Sequence, residues 1–337
     1  MVRFFDENKT SYPFNADWMR KLSDKQKREP ITRLIIPGSH DSGAYKLYTE
    51  LGIAIDRPGL NTFLINQFSF FTFPIISRYS QTQNQNVFEQ LKSGVRYLDL
   101  RIGLNPLDGE FYITHNFYGP SLLIILFQIK YFIENYPSEA IIIDIQHVYN
   151  VDSDCKFNRL VDIFRTIFSD QMFLHSKTGE TTRMPSLNEM INNRRPIMII
   201  YRGVYHSNDE LPEFFWPKAT IYSPWPDTRC PSLLEKFIDK LISTTTIDPD
   251  RLFVMQTVLT PNNRFVVRNF WSSLRRLSEP IGKIIMNLFK FDDYEKMNNI
   301  NIVMYDYIDR RTNDKFLINE IIAANFNKSI VMTKKDD

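Results

Sequence analysis

Two histidines follow predicted β-strands and could carry acid–base chemistry. His40 and Asp41 come just after an apolar run, residues 32–36, which predicts a short buried strand that stops at Pro37. His115 follows a later apolar run in the same way. Histidine can accept and donate a proton near neutral pH, because its unperturbed pKa lies in that range. A histidine after a strand often has only a structural role, so the rest of the chain must show whether these two histidines have a chemical one.

Other predicted strands also end in side chains that are capable of chemistry. Carboxylates at these positions could orient a histidine, and arginines suit a phosphate oxygen. Together they predict general acid–base phosphoryl transfer without a metal, and the alternative is a polar, solvated edge with no chemistry. The residues are Asp99 and Arg101, Gln146 and His147, Arg202, Trp225, Gln256 and Asp306.

The spacing of the apolar runs predicts the elements that must position these groups. Most runs are followed by a helical pattern, which favours a parallel α/β architecture. Eight strands is the number in a closed (β/α)8 TIM-like barrel, and an open doubly wound sheet is the alternative. The runs are residues 32–36, 96–102, 111–114, 140–148, 196–201, 219–222, 252–258 and 300–308. We predict a single domain, with residues 1–30 as an N-terminal extension packed on a barrel of residues 31–330.

Composition excludes several other classes of protein. The 337 residues carry a net charge of only +2, which does not favour nucleic-acid binding. The two cysteines, Cys155 and Cys230, require no disulfide framework and form no zinc motif. No window approaches the roughly 18 uninterrupted apolar residues of a membrane-spanning helix, and the N-terminus lacks a signal-peptide core. These features predict a cytoplasmic protein with no obligate protein partner.

Three motifs together resemble a known family. Residues 36–43 (IPGSHDSG), 90–101 (QLKSGVRYLDLR) and 111–115 (FYITH) are similar to the X domain of phosphatidylinositol-specific phospholipase C. Residues 139–144 and 184–189 fit the same pattern, and the likeness extends over residues 32–326. It is closest to animal proteins that carry an X domain alone. The resemblance implies an irregular (β/α) barrel, in agreement with the strand count.

The resemblance also implies a role for individual residues. His40 matches the general base that takes the proton of the inositol 2-hydroxyl, and His115 matches the general acid that protonates the leaving diacylglycerol oxygen. Asp41 would support the acid. Asp306 would orient His40 through the far ring nitrogen, and Asp309 remains an alternative for that role.

A departure from the calcium-dependent branch of the family predicts catalysis without a metal. That branch carries acids where this chain has Arg101 and Gln146, and calcium needs such oxygen ligands. Arg101 instead supplies a fixed positive charge, as in the metal-independent bacterial branch. The resemblance therefore implies no cofactor. We assign Arg101 to the catalytic set, and Asp99, His147, Arg202 and Trp225 to substrate binding.

The long connection at residues 45–79 is unusually aromatic. Within it, residues 63–76 could insert into a bilayer surface and give transient peripheral membrane association, or they could fold back onto the helices. The leading hypothesis is a phosphodiesterase that cleaves phosphatidylinositol in a membrane surface. The alternatives are a catalytically weak inositol-lipid binding or scaffold protein, and a metal-dependent barrel phosphodiesterase. The retained pair His40 and His115 argues against the former, and the few carboxylates argue against the latter.

Overall fold

Parallel strands with helices around them form the centre of the molecule. The computed structural model describes residues 15–54, 56, 62–175, 183–204, 210–289, 297–312 and 315–335. The strands are β1 (Ile36–Ser39), β2 (Tyr48–Ile53), β3 (Tyr97–Leu104), β4 (Phe111–His115), β5 (Phe117–Ser121), β6 (Ile141–Tyr149), β7 (Ile197–Tyr201), β8 (Phe215–Pro217), β9 (Ile221–Tyr222), β10 (Leu252–Gln256), β11 (Ile302–Tyr305), β12 (Arg311–Thr312) and β13 (Lys315–Phe316).

The helices connect these strands, and the longer ones bury an apolar face against the sheet. They are α1 (Asp24–Arg28), α2 (Thr62–Gln67), α3 (Ser69–Ser80), α4 (Val87–Ser93), α5 (Leu122–Asn135), α6 (Asp154–Phe168), α7 (Leu187–Asn192), α8 (Pro231–Thr244), α9 (Asn263–Arg268), α10 (Leu274–Leu277), α11 (Ile281–Phe289) and α12 (Leu317–Lys335). On α6, for example, Phe157, Leu160 and Phe164 recur at helical spacing and are buried.

Eight strands run parallel in the order β8-β7-β6-β3-β1-β11-β10-β9. The two ends of this path, β8 and β9, are consecutive in the chain and are joined by the 3-10 turn Lys218–Thr220. Within the described residues no ladder joins β8 to β9. The structure is therefore a barrel-like sheet that is left open between its fifth and sixth parallel strands.

The first predicted strand was placed too early, and the prediction that it stops at Pro37 is wrong. Residues 31–33 form a 3-10 turn, and β1 continues through Pro37 and Gly38 to Ser39. The register explains this, because the N–H groups of Ile36 and His40 donate to the β11 side. Pro37 contributes only its carbonyl, which accepts from the Arg96 N–H at 3.0 Å. A proline without an N–H fits that position.

One of the eight predicted barrel strands is also wrong. The run at residues 111–114 forms β4, which pairs antiparallel with β3 and belongs to the lateral extension β3-β4-β5-β2. The true eighth barrel strand is the three-residue β8, which has too few residues to show a period. Strands β2 and β5 were not predicted from the sequence.

Two segments are divided into several elements. The connection at residues 45–79 contains β2, α2 and α3, and residues 263–277 form two helices, α9 and α10. The division follows from local capping, since Asn262 and Ser273 each accept a hydrogen bond from the first turn of their own helix.

Residues 15–30 pack against the barrel end opposite the strand C-termini. Trp18 is buried and donates from its indole to the Gly94 carbonyl. Residues 1–14, which belong to the predicted N-terminal extension, lie outside the described residues. Among the helices that the structure describes, none combines the length and the apolar character needed to cross a membrane.

Candidate active site

Four strands bring the predicted acid–base residues together at one end of the barrel. His40 and Asp41 follow β1, whereas Asp99 and Arg101 lie within β3. His115 ends β4, and Asp306 follows β11, which is the parallel neighbour of β1. The chain reverses direction between β3 and β4, and this reversal brings His115 back to the end of the barrel that carries the other residues, which we call the mouth.

The ring of His40 is fixed by two acidic neighbours. Its Nδ1 lies 2.8 Å from Asp306 Oδ1, so with an ionised Asp306 the Nδ1 atom carries the proton. Its Nε2 faces the site, 3.4 Å from Asp41 Oδ2 and 3.5 Å from a terminal guanidinium nitrogen of Arg101. This contact is the one that an orienting carboxylate would make, and the orienting role of Asp306 stays a prediction. Asp309 instead accepts from Asn84 and lies near Arg275.

The ring of His115 is held by a backbone carbonyl. Its Nδ1 lies 2.6 Å from the carbonyl oxygen of Ser80, the last residue of α3. A carbonyl only accepts, so Nδ1 donates and Nε2 remains for chemistry. That Nε2 lies 3.4 Å from Asp41 Oδ2. Sequence reasoning missed Ser80, because a backbone contact leaves no trace in residue type.

Asp41 connects the whole cluster. Its Oδ2 lies 3.4 Å from the Nε2 atoms of both histidines, and its Oδ1 lies 2.7 Å from Arg101 Nε. The backbone of Asp41 has a φ of +40°, in the left-handed region that Asp tolerates better than most residues. The side chain is almost fully buried. A single carboxylate therefore bridges both rings and the arginine.

These surroundings shift the pKa values of the two histidines in opposite directions. Burial opposes protonation of His40, but the carboxylates of Asp41, Asp306 and Asp99 raise its pKa to about 9. Burial lowers the pKa of His115, and the positive charge of Arg101 adds to this. The pKa of Asp41 falls to about 2 despite burial, chiefly because of Arg101. One proton near neutral pH therefore resides mainly on His40.

Asp99 is the most deeply buried acid of the cluster. Its Oδ2 accepts the Asp41 N–H at 3.1 Å, and its own N–H donates to the hydroxyl of Ser42. Burial and the charge of Asp41 raise the pKa of Asp99 to about 6. Because Asp99 is fully enclosed, it supports the Asp41 loop, and substrate contact stays a prediction for it.

One group of described residues has the spacing of metal ligands, namely His40, Asp41 and Asp99. The fit to calcium is poor, because this group offers only two carboxylates and calcium takes six to eight oxygens. Arg101 also occupies Oδ1 of Asp41 and adds a positive charge where a cation would sit. The donor set therefore favours an anionic ligand beside Arg101.

Arg202 reaches the mouth from β7 but is already paired. Its Nε donates to Asp144 Oδ1 at 2.8 Å, and its Nη2 contacts Asp144 Oδ2. Asp144 raises the pKa of Arg202 although the arginine is buried, and Asp144 also accepts from the hydroxyl of Tyr97. Asp144 therefore already neutralises Arg202, and the role of Arg202 in substrate binding stays a prediction.

His147 and Trp225 lie farther out. His147 is exposed on β6 and stands opposite Arg101 in the strand register, after a bulge in the β3–β6 ladder. Although the residue is exposed, partial desolvation of its ring by the surrounding protein and the positive charge of Arg101 lower the pKa of His147. Trp225 follows β9, is 55% exposed, and lies 3.2 Å from the Thr260 hydroxyl through its indole nitrogen. Their roles in substrate binding stay predictions.

Asp56 is a further acidic residue that the sequence did not indicate. It accepts from the Asn116 N–H at 2.8 Å, and its charge acts on His115 and Arg101. Burial raises the pKa of Asp56. It lies in a long connection with no recognisable motif, so no pattern could have identified it.

Comparison with known proteins shows which proteins this chain resembles. The family model "Phosphatidylinositol-specific phospholipase C, X domain" matches residues 73–200, which include Asp99, Arg101 and His115. PI-PLC X domain-containing protein 3 of Danio rerio is 27% identical over 296 residues, covering 87% of this chain and 89% of the relative. The human PI-PLC X domain-containing protein 1 is 28% identical over 269 residues, covering 79% of each chain.

Solved structures confirm the predicted fold class. Phosphatidylinositol-specific phospholipase C from Listeria monocytogenes superposes with a TM-score of 0.62 at 19% identity, covering 92% of this chain and 98% of that one. A mutant of the Staphylococcus aureus enzyme gives 0.63 at 18% identity with the same coverage. The family match over residues 73–200, the relatives and the TIM-barrel-like fold agree, and this chain is therefore similar over most of its length to proteins that carry the X domain of phosphatidylinositol-specific phospholipase C.

Proposed function

We propose that this protein cleaves the phosphodiester of phosphatidylinositol, giving diacylglycerol and a cyclic inositol phosphate. One observation carries the proposal: two histidines present Nε2 to the same Asp41 oxygen, and each has its Nδ1 fixed by a separate acceptor. A purely binding protein needs no such pair of opposed proton carriers.

The geometry suits an in-line transfer. His40 Nε2 accepts the proton of the inositol 2-hydroxyl as that oxygen forms a bond to phosphorus. The bond from phosphorus to the glycerol oxygen breaks, and that oxygen takes a proton from His115 Nε2. Arg101 stabilises the charge that develops on the phosphate oxygens. Asp306 stabilises the imidazolium form of His40, as a carboxylate does in other His–Asp pairs.

We also propose that the mouth docks on a membrane surface. Phe70 and Phe71, near the start of α3, are 84% and 69% exposed. Phe270 and Trp271, between α9 and α10, are 52% and 63% exposed. We call these four residues the apolar rim. An exposed aromatic patch beside a lipid-cleaving site fits an interfacial role.

Contacts within the molecule support one common rim. Arg78 donates to the Phe270 carbonyl, and the Tyr79 hydroxyl donates to the Asn269 carbonyl at 2.8 Å. Only part of the segment at residues 63–76, which we predicted to insert into a membrane, is exposed. The ring of Phe73 packs inward on Phe117, whereas Phe70 and Phe71 are exposed. The side chains of residues 63 and 64 lie outside the described part.

The direct test is hydrolysis of phosphatidylinositol in mixed vesicles with excess chelator. We expect turnover by the wild type and a loss of roughly 10²–10⁴-fold in His40→Ala, because each acid–base group contributes about that factor. His175→Ala, outside the site, serves as the control. Activity that disappears with chelator would contradict catalysis without calcium. No turnover with intact vesicle binding would favour the inositol-lipid binding protein.

A further inference from the structure

The turn that follows His115 is held from two sides. Asn116, the residue between β4 and β5, has a φ of +61°. Its N–H donates to Asp56 Oδ2 at 2.8 Å, and its carbonyl accepts from the Ala54 N–H at 2.8 Å. Its side-chain amide donates to the hydroxyl of Ser80, whose carbonyl is the group that fixes Nδ1 of His115. The turn is therefore fixed by the segment after β2 on one side and by the end of α3 on the other.

The second oxygen of Asp56 has a different environment. This atom, Oδ1, is buried and has no hydrogen-bond partner among the described residues. Burying a carboxylate costs free energy unless it is paired, so such an oxygen needs positive charge nearby. Two groups supply it, because protonated His115 and Arg101 both favour the ionised form of Asp56. Tyr118 of β5 is a further titratable neighbour, with a pKa that burial and the charge of Asp56 raise.

Four charged groups act on the ring of His115 in addition to its burial. Burial lowers its pKa, and Arg101 and protonated His40 lower it further, whereas Asp41 and Asp56 raise it. Asp41 is shared, because it also contacts Arg101 and faces the ring of His40. Asp56 is not one of the three carboxylates that chiefly raise the pKa of His40. Its charge therefore favours a proton on His115 more than on His40.

We propose that Asp56 is a positioning residue for the general acid, which fixes the turn after His115 and supplies a second negative charge that holds a proton on that ring. The inference rests on the proposed function and deepens it, because it assigns a residue to the protonation of the acid. A protonated His115 beside a neutral His40 is the reactive arrangement of the pair. A carboxylate that acts mainly on His115 increases the population of this arrangement.

Asp56→Asn removes the charge and keeps an oxygen that can accept from the Asn116 N–H. We expect the acid limb of kcat/KM on monomeric dihexanoyl-phosphatidylinositol to move down by about one pH unit, as for the loss of one nearby charge. The plateau should fall about tenfold, because the same change lowers the population of the reactive arrangement by that factor. A merely structural role would lower the plateau without moving the limb, and that result would overturn the proposal.

Two further variants separate the charge from the hydrogen bond. Asp56→Ala also removes the acceptor of the Asn116 N–H, so its acid limb should move equally and its plateau should fall about fivefold more. Equal plateaus in Asp56→Ala and Asp56→Asn would reject the fixing of the turn. Glu50 is the matched control, since it is an exposed acid of β2. Glu50→Gln should keep the wild-type limbs and plateau.

Titration of the imidazole NMR signals tests the charge without a substrate. The chain has five histidines, and the signal that is missing in His115→Gln identifies His115. In Asp56→Asn the midpoint of this signal should lie about one pH unit lower than in the wild type, and in Glu50→Gln it should not move. The same spectra show that each variant is folded. If the wild type cleaves no substrate, the proposed function fails and the titration still decides the role of Asp56. An unchanged midpoint in Asp56→Asn would overturn that role.

Discussion

At the scale of single residues, the position of one proton determines what the site can do. The base role requires a neutral His40, and the acid role requires a protonated His115. The surroundings favour the opposite arrangement, since carboxylates raise the pKa of His40 to about 9 while burial lowers that of His115. The reactive form is then the minor arrangement of a pair that holds one proton.

This arrangement predicts a broad bell-shaped dependence of kcat/KM on pH. Below both pKa values both rings are protonated and no base exists, and above both no acid exists. Activity should rise with pH through the lowered pKa of His115, under its usual 6.5, and fall near pH 9. The pH profile of kcat/KM on a monomeric substrate measures both limbs.

Asp306→Asn tests the cause of the alkaline limb. Removing this carboxylate lowers the pKa of His40, so the alkaline limb should move to lower pH while the acid limb changes less. Asp309→Asn is the matched control, because Asp309 contacts Asn84 and Arg275 and not His40. An alkaline limb that stays in place in Asp306→Asn would contradict this assignment.

Residue types predicted part of this site, and backbone geometry supplied the rest. His40, His115 and Arg101 could be selected as candidates because the motifs that contain them are specific in combination. The carbonyl of Ser80 could not, since every residue has one and only the fold places this one 2.6 Å from His115. The pairing of Arg202 with Asp144 was also hidden, because they are 58 residues apart.

At the scale of elements, α3 connects the apolar rim to His115, the proposed general acid. Its first turn exposes Phe70 and Phe71, and its last residue holds His115. Tyr79 ties the same helix to the segment that carries Phe270. The apolar rim and the acid therefore belong to one structural unit.

Phe70→Ser/Phe71→Ser should weaken binding to phosphatidylinositol vesicles by at least about tenfold, because two large exposed side chains lose their apolar burial in the bilayer surface. Vesicle sedimentation measures this. Phe127→Ser/Tyr131→Ser removes two exposed aromatic residues of α5 as the control and should bind normally. Equal binding by all proteins would reject the rim as the docking surface.

Elements with a long apolar period were predictable, and short or irregular ones were not. β6 and β7 form nearly where the runs at 140–148 and 196–201 placed them. Strand β8 has only three residues, which are too few to show the alternation of apolar and polar side chains that predicts a strand. The predicted position of β1 was wrong for another reason. Proline normally ends a strand, and only the register with β11 and the hydrogen bond from Arg96 make Pro37 acceptable within one.

At the scale of the whole molecule, the candidate site and a fully buried ion pair lie at opposite ends of the barrel. The strand C-termini carry the site. At the other end, the fully buried Arg96 donates to Glu139 at 2.7 Å and to the carbonyls of Leu91, Val95 and Ala16. Glu139 also accepts from the backbone N–H groups of residues 19 and 20. This ion pair ties the N-terminal segment to β3 and β6.

Arg96→Met should lower the free energy of unfolding by about 3–5 kcal/mol, because it leaves the buried Glu139 carboxylate without a counter-charge. Burial already raises the pKa of Glu139 and Arg96 opposes this, so the variant's carboxyl should take up a proton on folding. A raised folded pKa gives stability that is lost as pH rises. The deficit should therefore be larger at about pH 8 than at about pH 5.

Urea unfolding at the two pH values measures this prediction, and Arg96→Met/Glu139→Leu is the matched variant. Replacing both partners removes the unpaired charge, so the double variant should be more stable than Arg96→Met alone. Because the pair lies far from the histidines, the folded fraction of each variant should keep its kcat. A deficit that does not change with pH, or a double variant no more stable than the single one, would show that the charge of Glu139 is not the cause.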